Sequence, residues 1–463
     1  MIETLHYLPR PTAPHSTLAE QFGDLAPALT QRQAAIESAR CLYCYDAPCT
    51  RICPSEIDVA SFIRNIHEHN LNGAAIGILK QNILGGSCAR VCPTEILCEH
   101  ACVRNHDAEG QPVKIGLLQR HALDHMHFPS HPFTRAASTG KTIAIVGAGP
   151  AGLSCAHRLA MLGHDVVLFE AQEKAGGLNQ YGIAKYKLAG DFAQEEVAFL
   201  LDIGGIELRC GQTLGVDVQL KELHASFDAV VLALGLKASR RLGLTGEDAP
   251  GLLAAVDYIS ALRSARDLSL LPLPRRVLVL GAGNTAIDMA VQMKRLGAQE
   301  VTLVYRRGWD EMSATRHEQD MAKAHQVRIL TWARPQQVLL DDAGRVAGMR
   351  FESTTINDGN GAGAAFDIPA DAIFKAIGQS LDIAVLAALE VSIDASDKIA
   401  VDAAFRTILP GVYAVGDCIA PGQDLTVQAV QHGKLAALAI HRELCTLDTD
   451  LSTSTTETAS WPT

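Results

Sequence analysis

Apolar residues change their spacing twice along the chain. From Val59 to Gln81 they recur at helical intervals (Phe62, Ile63, Ile66, then Ala75, Ile78 and Leu79), which predicts helices with one buried face. A polar linker is expected over roughly His121 to Gly140, and beyond it short continuous apolar runs alternate with amphipathic stretches. Thr142–Val146 and Asp165–Phe169 read as buried strands separated by a helix through Leu162, and the pattern returns as Arg276–Leu280 and Val301–Tyr305 around a helix to Leu296. Phe227–Gly235 and Asp371–Gly378 are two further hydrophobic strands, each ending on glycine. Strands alternating with helices predict parallel sheets. No apolar run approaches the length needed to span a bilayer. The tail, Thr446 to Thr463, is rich in Thr and Ser and is expected to be disordered.

At 463 residues the chain exceeds one ordinary core, and two to four domains are expected. A formal charge of −11 argues against a nucleic-acid partner, which would meet a basic surface. Met1 to Arg10 lacks the basic-then-apolar layout of a signal peptide, so the expected address is cytoplasmic, without membrane contact. The cysteines say more. Of twelve, eight lie between Cys41 and Cys102, whereas Cys155, Cys210, Cys418 and Cys445 are scattered and read as core thiols.

The first cysteine group is Cys41-Leu-Tyr-Cys44-Tyr-Asp-Ala-Pro-Cys49-Thr-Arg-Ile-Cys53-Pro54. The second is Cys88-Ala-Arg-Val-Cys92-Pro93, followed by Cys98 and Cys102. A [4Fe–4S] cluster takes short-spaced cysteines along one edge and a distant residue to close the site; proline after Cys53 and Cys92 turns the chain away. Zinc would favour two evenly spaced Cys-x-x-Cys pairs, which are absent. Disulfides are unexpected in a cytosolic chain. The block therefore predicts two [4Fe–4S] clusters, and spacing leaves open which cysteine serves which.

Two glycine fingerprints follow strands. Gly147-Ala-Gly149-Pro150-Ala151-Gly152 opens the first helix, where glycines let the backbone approach a pyrophosphate at the helix N-terminus. The next strand ends in Glu170, placed to accept from a ribose diol, unless it is a solvated strand end. In the second unit Gly281-Ala-Gly283-Asn284-Thr285-Ala286 is followed by Arg306 and Arg307 where the first has an acid. Paired guanidiniums can grip a 2′-phosphate, so NADP(H) is favoured over NAD(H); an exposed basic strand end is the alternative. Gly235 and Ala376-Ile377-Gly378 close the strands expected to cover each nucleotide. Near the C-terminus Gly416-Asp417 offers a carboxylate to a ribityl hydroxyl, and a helix beginning at Thr426-Val427 aims its positive end at a flavin.

Nicotinamides give two electrons together and iron–sulfur clusters take one at a time, so FAD between them would act as converter. Direct hydride transfer needs no acid or base, and no catalytic side chain is singled out. Too few residues follow the second unit for a substrate domain, so the final acceptor is expected on another chain.

Arg40-Cys41-Leu-Tyr-Cys44-Tyr-Asp-Ala-Pro-Cys49, Cys88-Ala-Arg-Val-Cys92-Pro-Thr-Glu-Ile-Leu-Cys98 and Gly116-Leu-Leu-Gln119 resemble the N-terminal half of dihydropyrimidine dehydrogenase, best its separate bacterial electron-input subunit, over about residues 30–445. The glutamate synthase small subunit shares the architecture, but five residues separate Cys92 from Cys98 here, a wider spacing than that family's. The resemblance implies one cluster on Cys41, Cys44, Cys49 and Cys102, and another on Cys53, Cys92, Cys98 and the unusual ligand Gln119, with Cys88 left over. It also implies cofactor contacts from Val91, Gly177, Leu178, Lys187 and Leu214. Ser313 stands where the eukaryotic enzyme has a further phosphate-binding arginine. A hetero-oligomeric partner carrying FMN, further clusters and the pyrimidine is implied, reducing uracil or thymine to the 5,6-dihydro form. The alternatives are an input subunit for glutamate synthase or another reductase, and a non-enzymatic redox sensor.

The expected fold is multidomain. An α-helical N-terminal iron–sulfur domain (1–135) precedes two Rossmann-like α/β dinucleotide-binding domains. The FAD domain is discontinuous (136–245 and 380–463) around a nicotinamide domain (246–379).

Overall fold

The structure, a computed structural model, describes residues 5–354, 363–382, 385, 389, 391–420 and 422–453. The chain divides into two compact units: Met1–Pro27, Leu178–Phe192 and Ala238–Ser380 form one, and Ala28–Gly177, Ala193–Lys237 and Leu381–Thr463 the other.

The larger unit joins the cysteine-bearing helices to the first dinucleotide fold. Thr30 starts the Gln31–Ala39 helix with a capping box, its hydroxyl accepting from Gln33 N while Gln33 Oε1 accepts from Thr30 N. Asp58 and Asn70 cap the helices Val59–His67 and Leu71–Gln81, whose buried residues (Val59, Phe62, Ile63, Ile66; Ala74, Ala75, Ile78, Leu79) follow the predicted periodicity. Between them His69 takes φ +60°, which breaks what would otherwise be one helix. Gly85–Val91 packs along Ile115–Asp124. Both Cys-Pro steps sit at helix C-termini, where Cys53 and Cys92 are extended, as a residue before proline must be. The unit's sheet is parallel, in the order Val412–Ala414, Ala229–Leu232, Thr142–Val146, Asp165–Glu170, Ile206–Cys210.

The smaller unit repeats that scheme. Its parallel sheet runs Leu252–Ala254, Ala372–Lys375, Arg276–Leu280, Glu300–Val304, Arg328–Leu330, beside an antiparallel sheet of Ala333–Leu340, Val346–Ser353 and Ala365–Pro369. The connecting segments Ala238–Ser239 and Gln379–Ser380 pair antiparallel within it.

Three expectations differ from the structure. Residues Met1–Pro27 cluster with the nicotinamide-type unit, not with the cysteines that follow them, because Leu5, Leu18 and Phe22 are buried in its core. The polar linker starts later than His121: Gln119, Arg120 and His121 are polar but buried on the Ile115–Asp124 helix, satisfied by Gly85 O, Asp124 and Leu29 O. The C-terminal helix runs from Thr426 to Thr453, so the first part of the predicted disordered tail continues a helix already anchored by packing; 454–463 lie outside the described residues.

Candidate redox site

Each fingerprint is a strand that ends in glycine hard against its neighbour. Gly147 has φ +106°, and a β-carbon there would stand 2.2 Å from Ala233 O; Gly281 has φ +134° with Ala376 O at 2.1 Å. The same close approach is built twice, which is why both positions exclude a side chain. A β-carbon on Gly152 would meet Gly147 O at 1.9 Å, so the Pro150–Met161 helix lies directly on the turn. Gly149 caps that helix and Gly283 caps Asn284–Leu296, neither with a side chain, leaving first-turn N–H groups for a ligand. Pro150 at the first helical position gives up no needed donor.

Glu170 is buried, its two oxygens accepting from Ala148 N at 2.8 Å and Gln172 N at 2.9 Å. The solvated-strand-end alternative therefore fails, and the carboxylate is held rigidly beside the glycine turn. Gly177 (φ +53°) is pressed against Gly149, Leu214 is buried near Phe169, and Gly235 takes φ +61° beyond the Ala229–Leu232 strand. The C-terminal helix closes on the same turn. Gly416 meets Ala151 and Gly433 meets Ala151 O, at 2.8 and 2.1 Å from the β-carbons they lack, and Ser154 Oγ donates to Val430 O. This brings Gly416, next to Asp417, and the second turn of the helix that starts at Thr426 and Val427 to the fingerprint. Among the described residues no group hydrogen-bonds the Asp417 carboxylate, which burial, with Asp424 adding, pushes up to about 6 against the pull of Lys398. An acid left without partners beside an open helix N-terminus suits the hydroxyls of a flavin nucleotide.

In the smaller unit Asn284, Thr285 and Ala286 open the second helix, and Ala376 N donates to Leu280 O, carrying Ile377 and Gly378 past the turn. Arg306 and Arg307 are exposed where the Glu300–Val304 strand ends; Arg307 lies 3.8 Å from Glu311 and the Arg306 guanidinium has no ion pair among the described residues. Leu178 and Lys187 belong to this unit, not to the one holding Gly147. The Lys187 ammonium is taken up by Asp288 at 2.7 Å and Glu318 at 2.8 Å, with Tyr186 donating to Asp288.

Cys41, Cys44, Cys49 and Cys102 line one cavity, walled by Ala47, Val59, Ile63, Val113 and Ile115. Burial drives Cys41 up and Cys49 to about 11, and the thiols that add to this are Cys102, Cys44 and Cys41. The second group borders the first. Cys92 is raised by a hydrogen bond with Cys88, then by burial, with Cys98 and Cys53 next; Cys98 is raised by burial, Glu99, Cys53 and Cys49. Thiols this buried would ionise only against a cation, as iron provides. Among the described residues no three His, Cys, Asp or Glu side chains gather tightly enough for a single metal ion. Ligands on a cube stand further apart, so the four-cysteine cavity fits a cluster better than one ion. Val91 precedes Cys92, and Val427 is buried among Cys88, Leu97 and Cys92. Gln119 is buried with Nε2 donating to Gly85 O at 2.7 Å. Of the scattered cysteines, Cys155 and Cys418 are buried and Cys210 and Cys445 half-buried.

Two buried side chains had no signal in the sequence. Glu196 reaches the N-terminus of the Gly85–Val91 helix, accepting from Gly86 N, Ser87 N and Ser87 Oγ, and burial pushes it up to about 7 against those donors. Lys434, on the C-terminal helix, donates to Ser55 O at 3.0 Å and Gln81 Oε1 at 2.9 Å; burial brings it down to about 8. Their partners lie 110 and 379 residues away, beyond any local pattern.

Residues 18–129 match the family described as dihydropyrimidine dehydrogenase domain II, 4Fe-4S cluster, and residues 141–433 match the pyridine nucleotide-disulphide oxidoreductases. The chain is 34% identical to the NAD-dependent dihydropyrimidine dehydrogenase subunit PreT of Salmonella typhimurium, over 91% of this chain and 97% of that one. It is 32% identical to the glutamate synthase [NADPH] small chain of Escherichia coli, over 90% and 93%. Mycobacterium tuberculosis FprA in complex with NADPH has the same fold over 70% of this chain and 87% of its own, with a TM-score of 0.56 at 19% identity. The chain thus belongs to the pyridine nucleotide-disulphide oxidoreductases, as an FAD- and iron–sulfur-containing electron-input subunit of the PreT kind.

Proposed function

We propose that this chain binds NAD(P)H, FAD and two [4Fe–4S] clusters and passes electrons to a partner subunit. That partner would carry FMN and further clusters and would reduce uracil and thymine to their 5,6-dihydro forms. The observation that carries this reading is that the cysteine-bearing helices and the first fingerprint share one compact unit, with Val427 of the C-terminal helix packed against Cys88 and Cys92. Bound FAD supplies the chemistry of accepting two electrons together and releasing them singly. The chain's residues hold and orient. Gly147, Gly149 and Gly152 admit the pyrophosphate, Glu170 faces the ribose, Asp417 faces the ribityl chain, and the helix from Thr426 directs its positive end at the ring. Cys41, Cys44, Cys49 and Cys102 hold one cluster, supported by their common cavity. Cys53, Cys92, Cys98 and Gln119 hold the other; the influence of Cys53 on Cys92 and Cys98 supports the three cysteines, and the family resemblance supports Gln119.

Co-purification from the native host followed by a uracil-dependent NAD(P)H oxidation assay tests the whole reading. The isolated chain is expected to oxidise NAD(P)H with an artificial acceptor and to ignore uracil; turnover of uracil without a partner, or no NAD(P)H oxidation, would overturn it. Running glutamine and 2-oxoglutarate in the same assay covers the reading suggested by the glutamate synthase relative. The unpaired Arg306 beside Arg307 favours NADP(H); a KM for NADH well below that for NADPH would refute the paired-arginine argument, and the PreT relative is described as NAD-dependent.

A pH dependence follows from Asp417. Its ionised form accepts from a hydroxyl more strongly than the neutral acid does, and burial pushes the carboxyl up to about 6. FAD affinity should be full above that value and fall as pH drops through it, by up to about tenfold per pH unit. Asp417→Asn should remove the dependence, as followed by flavin fluorescence titration; an equal slope in both proteins would rule out the contact.

A further inference from the structure

The helix Thr426–Thr453 touches the second cysteine group at two places, through Val427 beside Cys88 and Cys92 and, two turns on, through Lys434. Lys434 is buried, 5% exposed, yet carries an ammonium. Its hydrogen bonds go to Ser55 O and Gln81 Oε1, and Ser55, fully buried, lies two residues beyond Cys53. The Ser55 hydroxyl in turn lies 3.7 Å from Cys53 Sγ and accepts from Asn82 Nδ2 at 3.4 Å. Among the described residues no carboxylate is hydrogen-bonded to Lys434. The nearby charged groups are Arg158, which opposes its charge, then the exposed Glu56 and Cys53, which favour it. Burying an unpaired cation is costly unless a negative group compensates. A carbonyl and an amide do not, whereas thiolate ligands and the cluster they hold would.

We propose that Lys434 is a positioning and potential-setting residue for the cluster held by Cys53, Cys92, Cys98 and Gln119, tying the Cys53–Ser55 turn to the helix that starts at the flavin site and placing a positive charge beside the Cys53 thiolate. The inference rests on the two-cluster reading. One-electron reduction makes the cluster more negative, so a fixed cation in a low-dielectric setting favours the reduced form. The first cluster, in its own cavity lined by Cys41, Cys44, Cys49 and Cys102, does not share this contact.

EPR-monitored redox titration of the full chain loaded with iron, sulfide and FAD tests this. The signal that changes in Gln119→Ala identifies the second cluster. Lys434→Gln should lower the reduced-to-oxidised ratio of that signal about tenfold at a fixed potential, a shift of about 59 mV for a one-electron couple, and leave the other signal in place. Lys434→Arg should keep the midpoint near that of the wild type, since charge rather than shape is at issue. An unmoved midpoint in iron-replete Lys434→Gln, or equal shifts of both signals, overturns the proposal. If Lys434→Gln loses iron, Gln81→Glu sets a counter-charge against the same ammonium and must lower the same midpoint; no change there is equally fatal. Wild-type protein lacking two cluster signals would instead refute the two-cluster reading itself.

Discussion

Gly152→Ala is expected to yield protein that retains less than about a tenth of the wild-type flavin. The new β-carbon would sit 1.9 Å from Gly147 O and 3.1 Å from its carbonyl carbon, and both are backbone atoms of the turn itself. No rotamer relieves that clash, so the helix must move off the strand and carry its N-terminal donors with it. Overpacking against rigid backbone costs about 3 kcal/mol, and the displaced turn also loses the pyrophosphate. The ratio of flavin to protein absorbance after gel filtration reads the outcome; a stoichiometric flavin complex would show that the turn tolerates a side chain. Gly77→Ala is the matched control. It lies exposed in the Leu71–Gln81 helix with nothing within 4 Å of its absent β-carbon, and should gain about 0.5–1 kcal/mol.

The second large effect is expected at Glu196. Its carboxylate is the partner of three buried donors at the start of the helix that carries Cys88 and leads into Cys92. Glu196→Ala strands all three in a dry environment, at about 1–3 kcal/mol each, for a combined loss of at least about 3 kcal/mol. Glu196→Gln keeps one acceptor oxygen and should lose about half as much. Thermal unfolding with iron content measured alongside distinguishes the cases, and the alanine variant should release iron from the second cysteine group first. Unchanged melting and full iron content in the alanine variant would mean that the helix end is held by its other contacts.

What could be read from the sequence was whatever is written in neighbouring residues. A strand, a glycine turn, a helix and the next strand's last side chain are consecutive, so the positions of Gly147 and Glu170 followed from spacing, and Gly281 with Arg306 from the repeat. The cysteine cavity was half legible. Cys41, Cys44 and Cys49 are local to one another, but Cys102 joins them only through the family resemblance and then through the fold. Side chains that cross between parts of one unit left no trace. Glu196 sits in a helix whose pattern reads as an ordinary acidic surface turn, and Lys434 reads as a solvated lysine, yet both are buried. The polar linker is expected to start at His121, inside the helix Ile115–Asp124, for the mirror-image reason: polar letters that find partners inside look like surface.

The interleaving of the two units has a consequence for biosynthesis. The N-terminal segment to Pro27 finds its core among Leu178–Phe192 and Ala238–Ser380, and the unit holding the cysteines is completed by strand Val412–Ala414 and the helix from Thr426. A nascent chain therefore exposes Cys88 and Cys92 long before the segment that packs against them leaves the ribosome. Contacts so distant in sequence form slowly and late. Loading of iron and sulfide should accordingly follow release of the finished chain, and a stop codon before residue 426 should yield thiols open to alkylation rather than a smaller working electron carrier.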